Sequence, residues 1–281
     1  MRNAVRHETA RSADVARSVP PPTVPASVYD ADYYQHWCAG FDEWTSSGGA
    51  RPAALYEWSL RRARLRPDEV VVDLGTGRGE LLAVAVEMGA KFAVGVEYSL
   101  EALTLAQRTL GAHSMSGRAA AVAADTRRLP LPDAMADLVV MLDIVEHLNP
   151  EELHLTLMEA LRVLRPGGRL FAHTLPTRTI YDVTYRLQRL AVPGRPRRWP
   201  GDPRVELERV MHVNEQTKSS LTRSIRQAGF SNVRVERGEW IHTSFVPEER
   251  AKRLYQRLAA HRLTAGLGIA DLWAEATRAP S

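Results

Sequence analysis

Cysteine is nearly absent from this chain: Cys38 is the only one in 281 residues. An internal disulfide framework is therefore excluded, and a reducing compartment is expected. No apolar run approaches the roughly 20 residues that a membrane-spanning helix needs. The arginine-containing stretch 1–28 also lacks the apolar core of a secretory signal. These absences predict a soluble cytoplasmic protein without a membrane partner.

A dominant charge of one sign is missing as well. Lysine and arginine number 37, aspartate and glutamate number 33, and the net charge is +4. Such a mild basic excess is compatible with anionic partners but does not require them. With 44% hydrophobic and 25% charged residues, the composition is ordinary for a globular protein with a sizeable core.

Three regions follow from the composition along the chain. Residues 1–28 are rich in alanine, arginine, serine and proline and carry too little apolar surface to offset the entropy of ordering, so we expect a disordered arm. Residues 29–66 hold aromatic side chains at helical spacing, which predicts a helical cap of two short helices separated at 46–49. Residues 67–281 are expected to form the main domain, with a substrate lid inserted at 175–211.

Short β-rich runs alternate with helical patterns through the main domain. Strands are predicted at 70–74, 92–97, 119–124, 137–142, 168–174, 233–235 and 271–278. Helices are predicted at 79–88, 99–110, 150–164, 214–228 and 248–261. Strict alternation favours an α/β fold with a doubly wound parallel sheet and right-handed crossovers.

The most informative stretch is 70–80, an apolar strand followed by an acid and three glycines. Gly75, Gly77 and Gly79 allow backbone amides at a helix N-terminus to approach a ligand that no Cβ obstructs. A second apolar run ends at Glu97, where a carboxylate can accept both hydroxyl protons of a ribose. Dinucleotide binding and a plain strand–helix turn are the alternatives.

Two features argue against a dinucleotide. Asp73 precedes the first glycine, where a pyrophosphate would gain nothing from a carboxylate but a cationic amino-acid ligand would. The glycines are also spaced G-x-G-x-G rather than G-x-G-x-x-G. At these residues the chain resembles the class I S-adenosylmethionine-dependent methyltransferases, and the resemblance covers roughly 68–245 and the final strand.

The resemblance implies a Rossmann-like sheet of seven strands with an antiparallel last strand, and S-adenosyl-L-methionine as the cofactor. Asp73 and the loop Gly75-Thr76-Gly77-Arg78-Gly79 would surround the methionine end of this cofactor. Its sulfonium and ammonium groups are both positive, which suits a nearby carboxylate.

The remaining matches to the family concern the nucleoside. The resemblance assigns Glu97 to the ribose and places Tyr98 against the adenine face, with a plain surface tyrosine as the alternative. Asp125 would accept from the adenine amino group, and Thr126 would supply a backbone amide. An ordinary turn acid is the alternative for Asp125.

The fourth predicted strand ends in the segment Asp143-Ile-Val-Glu146-His147. Ligands of open α/β sheets lie at the carboxyl ends of the strands, so this segment should face the transferred methyl group. It resembles the E-x-x-E-H segment of ubiquinone-pathway and small-RNA 2′-O-methyltransferases, where two glutamates and two histidines hold magnesium. His212 would be the later histidine. Because Asp143 is one methylene shorter than glutamate, we expect no metal, with magnesium as the alternative.

Three residues are candidates for catalysis: His147, His212 and Asp143. A hydroxyl acceptor needs a general base, and histidine supplies one near neutral pH. His173 at the end of the fifth strand is a further candidate base. Each histidine has a structural alternative, namely a hydrogen-bonded position in the fold. Asp143 is in addition a candidate for contacting the cofactor.

The acceptor must be held by parts of the chain outside the sheet. Tyr33 and Trp37 are predicted to close over the site, while Arg178, Tyr181 and Tyr185 are predicted to line the acceptor cavity. Packing of these aromatics on the sheet is the alternative. An arginine cluster in the lid is a candidate for binding an anionic group, with a solvated turn as the alternative: Arg195, Arg197, Arg198 and Arg204.

The sequence thus predicts an S-adenosylmethionine-dependent methyltransferase that acts on a small molecule, most readily at oxygen, as a monomer or homodimer. An RNA 2′-O- or base methyltransferase would need a positive stripe with exposed stacking aromatics. The basic residues are scattered instead, so we expect no nucleic-acid partner. A non-catalytic partner protein of methyltransferase fold is the second alternative, although every cofactor-binding position carries a suitable residue.

Overall fold

The computed structural model describes residues 19–38, 40–191, 200–239, 249–261 and 263–280. Seven strands lie in these ranges: β1 Val70–Leu74, β2 Phe92–Glu97, β3 Ala119–Ala123, β4 Ala136–Leu142, β5 Leu164–Thr174, β6 Ser231–Arg237 and β7 Leu272–Thr277. They form one sheet in the order β3-β2-β1-β4-β5-β7-β6. The first five strands are parallel, and β7 is antiparallel to β5 and β6. The predicted sheet is therefore confirmed.

Eleven α-helices fall within the described ranges: α1 Ala31–His36, α2 Phe41–Ser46, α3 Ala54–Arg62, α4 Glu80–Glu87, α5 Leu100–Ala112, α6 Pro150–Val163, α7 Arg186–Ala191, α8 Glu206–Met211, α9 Lys218–Gln227, α10 Glu249–Ala260 and α11 Ala265–Gly268. Short 3₁₀ turns occupy Ala26–Val28 and Val145–His147, and a π-helix occupies Ile180–Tyr185. Within the described part of the chain, no helix is long and apolar enough to cross a membrane.

The central strands are continuous apolar runs because helices cover both faces of the sheet. Val71 and Val72 of β1 are fully buried, and each such side chain contributes about 1.5–3 kcal/mol by leaving water. Leu157 of α6 packs in the core on one face, and Leu60 of α3 and Leu82 of α4 pack in the core on the other. The sheet is thus a rigid support for side chains at its edge.

The helix that follows β4 has a strong start signal. Asn149 accepts hydrogen bonds from the amides of Glu151 and Glu152, and the Glu152 carboxylate accepts from the Asn149 amide. Pro150 occupies the first helical turn, where its missing N–H has no cost. This capping fixes where the 143–149 segment leaves the sheet.

The N-terminal region differs from the prediction in two ways. It has three helices rather than two, because Gly40, at φ +75°, interrupts the first stretch. Residues 19–28 were expected in a disordered arm, but Val24 is buried and the Thr23 amide donates to Glu152 at 2.7 Å. A few apolar and backbone contacts thus anchor this segment. The remainder of the arm, 1–18, lies outside the described residues.

The segment expected to form a lid also contains regular structure. Ile180–Tyr185, α7 and α8 occupy its described part, and 192–199 lies outside it. The helix predicted at 214–228 begins later, at Lys218, because the Thr217 side chain caps it by accepting from the Ser220 amide. The Asn214 amide instead donates to the Glu146 carbonyl at 3.0 Å, which ties this turn to the end of β4.

Candidate active site

A cavity of about 940 Å³ lies at the carboxyl ends of β1, β2, β4 and β5. The strand order reverses between β1 and β4, and open α/β sheets bind ligands at such a switch point. The volume is at the upper end of the range of about 300–1,000 Å³ for small-molecule sites. Tyr29, Tyr33 and Trp37 of the N-terminal region complete its wall.

The loop of Gly75–Gly79 allows close contacts between its backbone and neighbouring groups. Gly75 has a left-handed backbone, φ +78°, which strains any residue with a Cβ, and a Cβ there would also press on Cδ1 of Ile144 at 2.8 Å. The amides of Gly75 and Thr76 donate to the Val96 carbonyl, at 2.8 and 3.2 Å. Gly75, Thr76 and Gly77 line the cavity. Gly79, predicted to contact the cofactor, does not; a Cβ there would lie 3.0 Å from the Cβ of Ala106, so it serves helix packing.

Two buried carboxylates face this loop. Asp73 at the end of β1 is 3% exposed, and burial raises its pKa to about 7, with the nearby Glu97 carboxylate adding to the rise. Glu97 accepts from the amides of Gly77, Tyr98 and Ser99, at 3.1, 2.8 and 2.9 Å. Burial raises the pKa of Glu97 and these three donors oppose the rise. Both acids therefore favour a cation or hydroxyl donors in the cavity.

The segment after β3 supplies a third acid. Asp125 lines the cavity, and Arg127 donates to both of its carboxylate oxygens over 2.6–3.0 Å. Thr126 also lines the cavity, and its hydroxyl is hydrogen-bonded to the Thr156 hydroxyl at 3.1 Å. Tyr98 donates its hydroxyl proton to the Val24 carbonyl at 3.0 Å, which holds its ring at the cavity wall.

His147 lies in the cavity wall just after β4. Its Nδ1 is 2.6 Å from the Tyr29 hydroxyl, and its Nε2 is 3.8 Å from a carboxylate oxygen of Glu146. Burial, reinforced by His212, lowers the pKa of His147 to about 3. Burial and the neighbouring Asp143 raise the pKa of Glu146 to about 8. At neutral pH the imidazole is therefore uncharged.

His212 completes a small cluster with these two residues. Its ring centroid lies 5.3 Å from that of His147, and burial lowers its pKa to about 4. Nδ1 of His212 is buried without a hydrogen-bond partner in the described residues, an arrangement that is rare unless a ligand or water reaches the atom. Ligand atoms of Glu146, His147 and His212 lie within 4.8 Å of one another. Asp143, the remaining residue of the pattern that resembles a magnesium site, is not in this group.

Asp143 is instead bound to His173. Its Oδ1 lies 2.5 Å from Nδ1 of His173, whose Nε2 lies 3.3 Å from Oδ2 of Asp271. Burial alone would lower the pKa of His173, but the two carboxylates raise it to about 10. The two carboxylates thus favour the charged form of His173 at neutral pH, in which it has no lone pair to act as the base that the sequence suggested.

Comparisons with known proteins agree with this geometry. The family described as "Methyltransferase domain" matches residues 71–168. A malonyl-acyl-carrier protein O-methyltransferase of Marinomonas is 34% identical over 46% of this chain and 47% of its own length. The 27-O-demethylrifamycin SV methyltransferase of Amycolatopsis mediterranei is 32% identical over 38% of each. Residues 71–168 therefore match the methyltransferase-domain family. The chain spans less than half of either curated relative.

The solved structure of the cyclase SpnF has the same architecture as the methyltransferase domain. It is 20% identical, covers 81% of this chain and 80% of its own, and has a TM-score of 0.56. An identity this low shows the fold alone. The reaction must therefore be argued from the cavity of this chain.

Two of the five predicted acceptor contacts lie in the cavity of the methyltransferase domain. Tyr33 and Trp37 line it, and Trp37 is 46% exposed at its mouth. Arg178, Tyr181 and Tyr185 do not line this cavity, so the structure does not bring them together with the other predicted residues. Arg178 pairs with Asp182 at 2.7 Å on the surface, and the two tyrosines are buried in the fold.

The predicted arginine cluster is only partly described. Arg195, Arg197 and Arg198 lie outside the described residues. Arg204 is held by Asp202 and Glu215, at 2.8 and 3.0 Å, so its charge is already matched.

Several cavity residues of the methyltransferase domain were not predicted. Arg127 follows Asp125 by two residues, so the sequence alone could have suggested that it pairs with this acid beside the cavity. Tyr29 reaches His147 over 118 positions of sequence. Asp271 directly precedes β7 and Trp273 lies in it, 98 or more residues beyond His173. Contacts at such separations leave no local pattern to read.

Proposed function

We propose that the chain is an S-adenosylmethionine-dependent methyltransferase that methylates an oxygen of a small molecule. The supporting observation is that Asp73, Glu97 and Asp125 end three neighbouring strands and line one cavity. Methyl transfer is an in-line displacement in which the protein mainly aligns the reactants and removes a proton.

The cavity residues fit this cofactor. Gly75 and Gly77 line the cavity with backbone that carries no side chain, and Asp73 offers a buried carboxylate to the positive methionine end. Glu97 retains acceptor capacity for ribose hydroxyls after binding three amides, because an ionised carboxylate offers about four lone-pair sites. The cofactor supplies the methyl group as a reactive sulfonium; these residues hold it at the sheet edge.

An oxygen acceptor suits the two uncharged imidazoles beside the cavity. A hydroxyl that gains a methyl group becomes a strongly acidic protonated ether, so even a weakly basic histidine accepts its proton. His147 can do so in the tautomer whose Nδ1 donates to the Tyr29 oxygen, since Nε2 then keeps its lone pair. The Glu146 carboxyl group, 3.8 Å away, can balance the positive charge that results once it ionises.

The charge of the cavity disfavours the other acceptors. Among the described residues, nine acids and two arginines line it, and both arginines are paired with acids, Arg78 with Glu80 and Arg127 with Asp125. An amine would be held here as ammonium, which has no lone pair to attack with. RNA phosphates would be repelled, since single strands bind in positively charged grooves. A neutral phenol or alcohol meets neither obstacle.

The test is incubation with methyl-labelled S-adenosylmethionine and either a metabolite extract or matched phenols, alcohols and amines. Mass spectrometry should find the label as a methyl ether in the wild type and not in Glu97→Gln. Label on nitrogen or carbon would overturn the oxygen assignment. Cofactor binding without any labelled product would support a non-catalytic protein instead.

A further inference from the structure

His173 joins three strands at the floor of the cavity. It lies on β5 between Asp143, which directly follows β4, and Asp271, which directly precedes β7. The distances are 2.5 Å from Nδ1 to Asp143 and 3.3 Å from Nε2 to Asp271. Trp273 donates from Nε1 to the same Asp271 oxygen at 2.8 Å. The indole ring also stacks on the imidazole, with centroids 4.0 Å apart.

This arrangement favours a charged imidazole. An ionised carboxylate only accepts, so between two ionised acids both ring nitrogens of His173 carry protons. The stacked indole adds a cation–π attraction. The Glu146 carboxyl group lies near enough to act on His173 electrostatically. One imidazolium between two carboxylates leaves one unit of negative charge.

The excess charge is directed into the cavity. Asp271 is buried, with 4% of its side chain exposed, whereas 39% of the Asp143 side chain is exposed at the cavity wall. Asp143 has a left-handed backbone, φ +53°, and its amide donates to the His173 carbonyl at 3.2 Å. Such a conformation costs roughly 1–2 kcal/mol outside glycine, although aspartate tolerates it better than most residues. His173 therefore fixes both the backbone and the carboxylate of Asp143.

We infer that His173 and Asp271 are positioning residues, which hold the Asp143 carboxylate so that its cavity-facing oxygen accepts a hydrogen bond from the acceptor hydroxyl. The inference rests on the proposed function. Before the transfer the hydroxyl proton points to Asp143, so an oxygen lone pair is directed to the methyl group. As the O–C bond forms and the S–C bond of the cofactor breaks, that proton leaves the methylated oxygen for Nε2 of His147, the base of the proposed function. No bond is made or broken at His173, which keeps both protons throughout.

The first test reads the charge of His173 without any acceptor. Nitrogen NMR of the ¹⁵N-histidine-labelled protein, assigned with His173→Gln, should show both ring nitrogens protonated at pH 8. In Asp271→Asn, which keeps His173 in place, the imidazole should lose a proton at lower pH than in the wild type. A neutral His173 at pH 8 in the wild type would overturn the inference, whatever the outcome of the labelling experiment.

The second test is a double-mutant cycle on kcat. Asp143→Asn and His173→Gln should each lower kcat by about tenfold to a hundredfold, while the Kd for S-adenosylmethionine stays within twofold. If His173 acts through Asp143, the double variant is no slower than Asp143→Asn alone. Multiplied losses would contradict the inference. Exposed His154→Gln is the matched control, and thermal melting verifies that each variant is folded.

Discussion

Replacing Glu97 by glutamine probes the ribose site with almost no change in shape. Oε1 of Glu97 accepts from the amides of Tyr98 and Ser99, and Oε2 accepts from the amide of Gly77. The glutamine oxygen can keep the first two bonds. Its NH₂ group must then face the Gly77 amide, where two donors oppose each other, and it can no longer accept from a ribose hydroxyl.

The loss follows from the bonds that disappear. A hydrogen bond to a charged group is worth about 1.5–3 kcal/mol. The Gly77 contact is lost in the free and the bound protein alike, so the ribose contact alone changes the affinity and predicts a Kd raised roughly tenfold to a hundredfold. Isothermal titration with S-adenosylmethionine measures this directly. Glu101→Gln on the exposed face of α5 removes the same charge away from the cavity and should bind like the wild type. Unchanged affinity in Glu97→Gln would refute the assignment of the ribose site.

Four other outcomes are expected. His147→Ala should lower kcat by about a hundredfold with the cofactor Kd unchanged; an unaltered rate dismisses it as the base. Cofactor affinity, titrated against pH, should weaken below about pH 7 as Asp73 gains a proton and loses its charge; a flat profile contradicts this. A chelator should leave kcat unchanged, because Asp143 binds His173 rather than a metal ion. A loss of activity that magnesium restores would contradict this prediction. Arg178→Ala should leave the acceptor KM unchanged, and a raised KM would return Arg178 to the site.

The sheet was predictable because its signals are local. Each strand is a short apolar run, and the turn of Gly75–Gly79 can be read from residues within ten positions of one another. The positions of the acids in the cofactor site were predictable for the same reason. Asp73, Glu97 and Asp125 stand at or just after strand ends, and parallel strands bring their carboxyl ends to one edge.

The acceptor side was not predictable in the same way. Tyr181 and Tyr185 are aromatic residues in an irregular segment, and sequence alone does not distinguish a tyrosine that lines a cavity from one that packs in the fold. The chemical state of His173 depends on Asp271, which is distant in sequence and belongs to the strand inserted between β5 and β6. Tertiary contacts therefore decided which histidine is charged and which is neutral.

The most direct measurement is a crystal structure of the protein with S-adenosylhomocysteine bound. The ribose hydroxyls should lie within hydrogen-bond distance of Glu97, the adenine amino group near Asp125, and the methionine end against the loop beside Asp73. A ligand bound elsewhere, or these three carboxylates turned away from it, would contradict the proposed site.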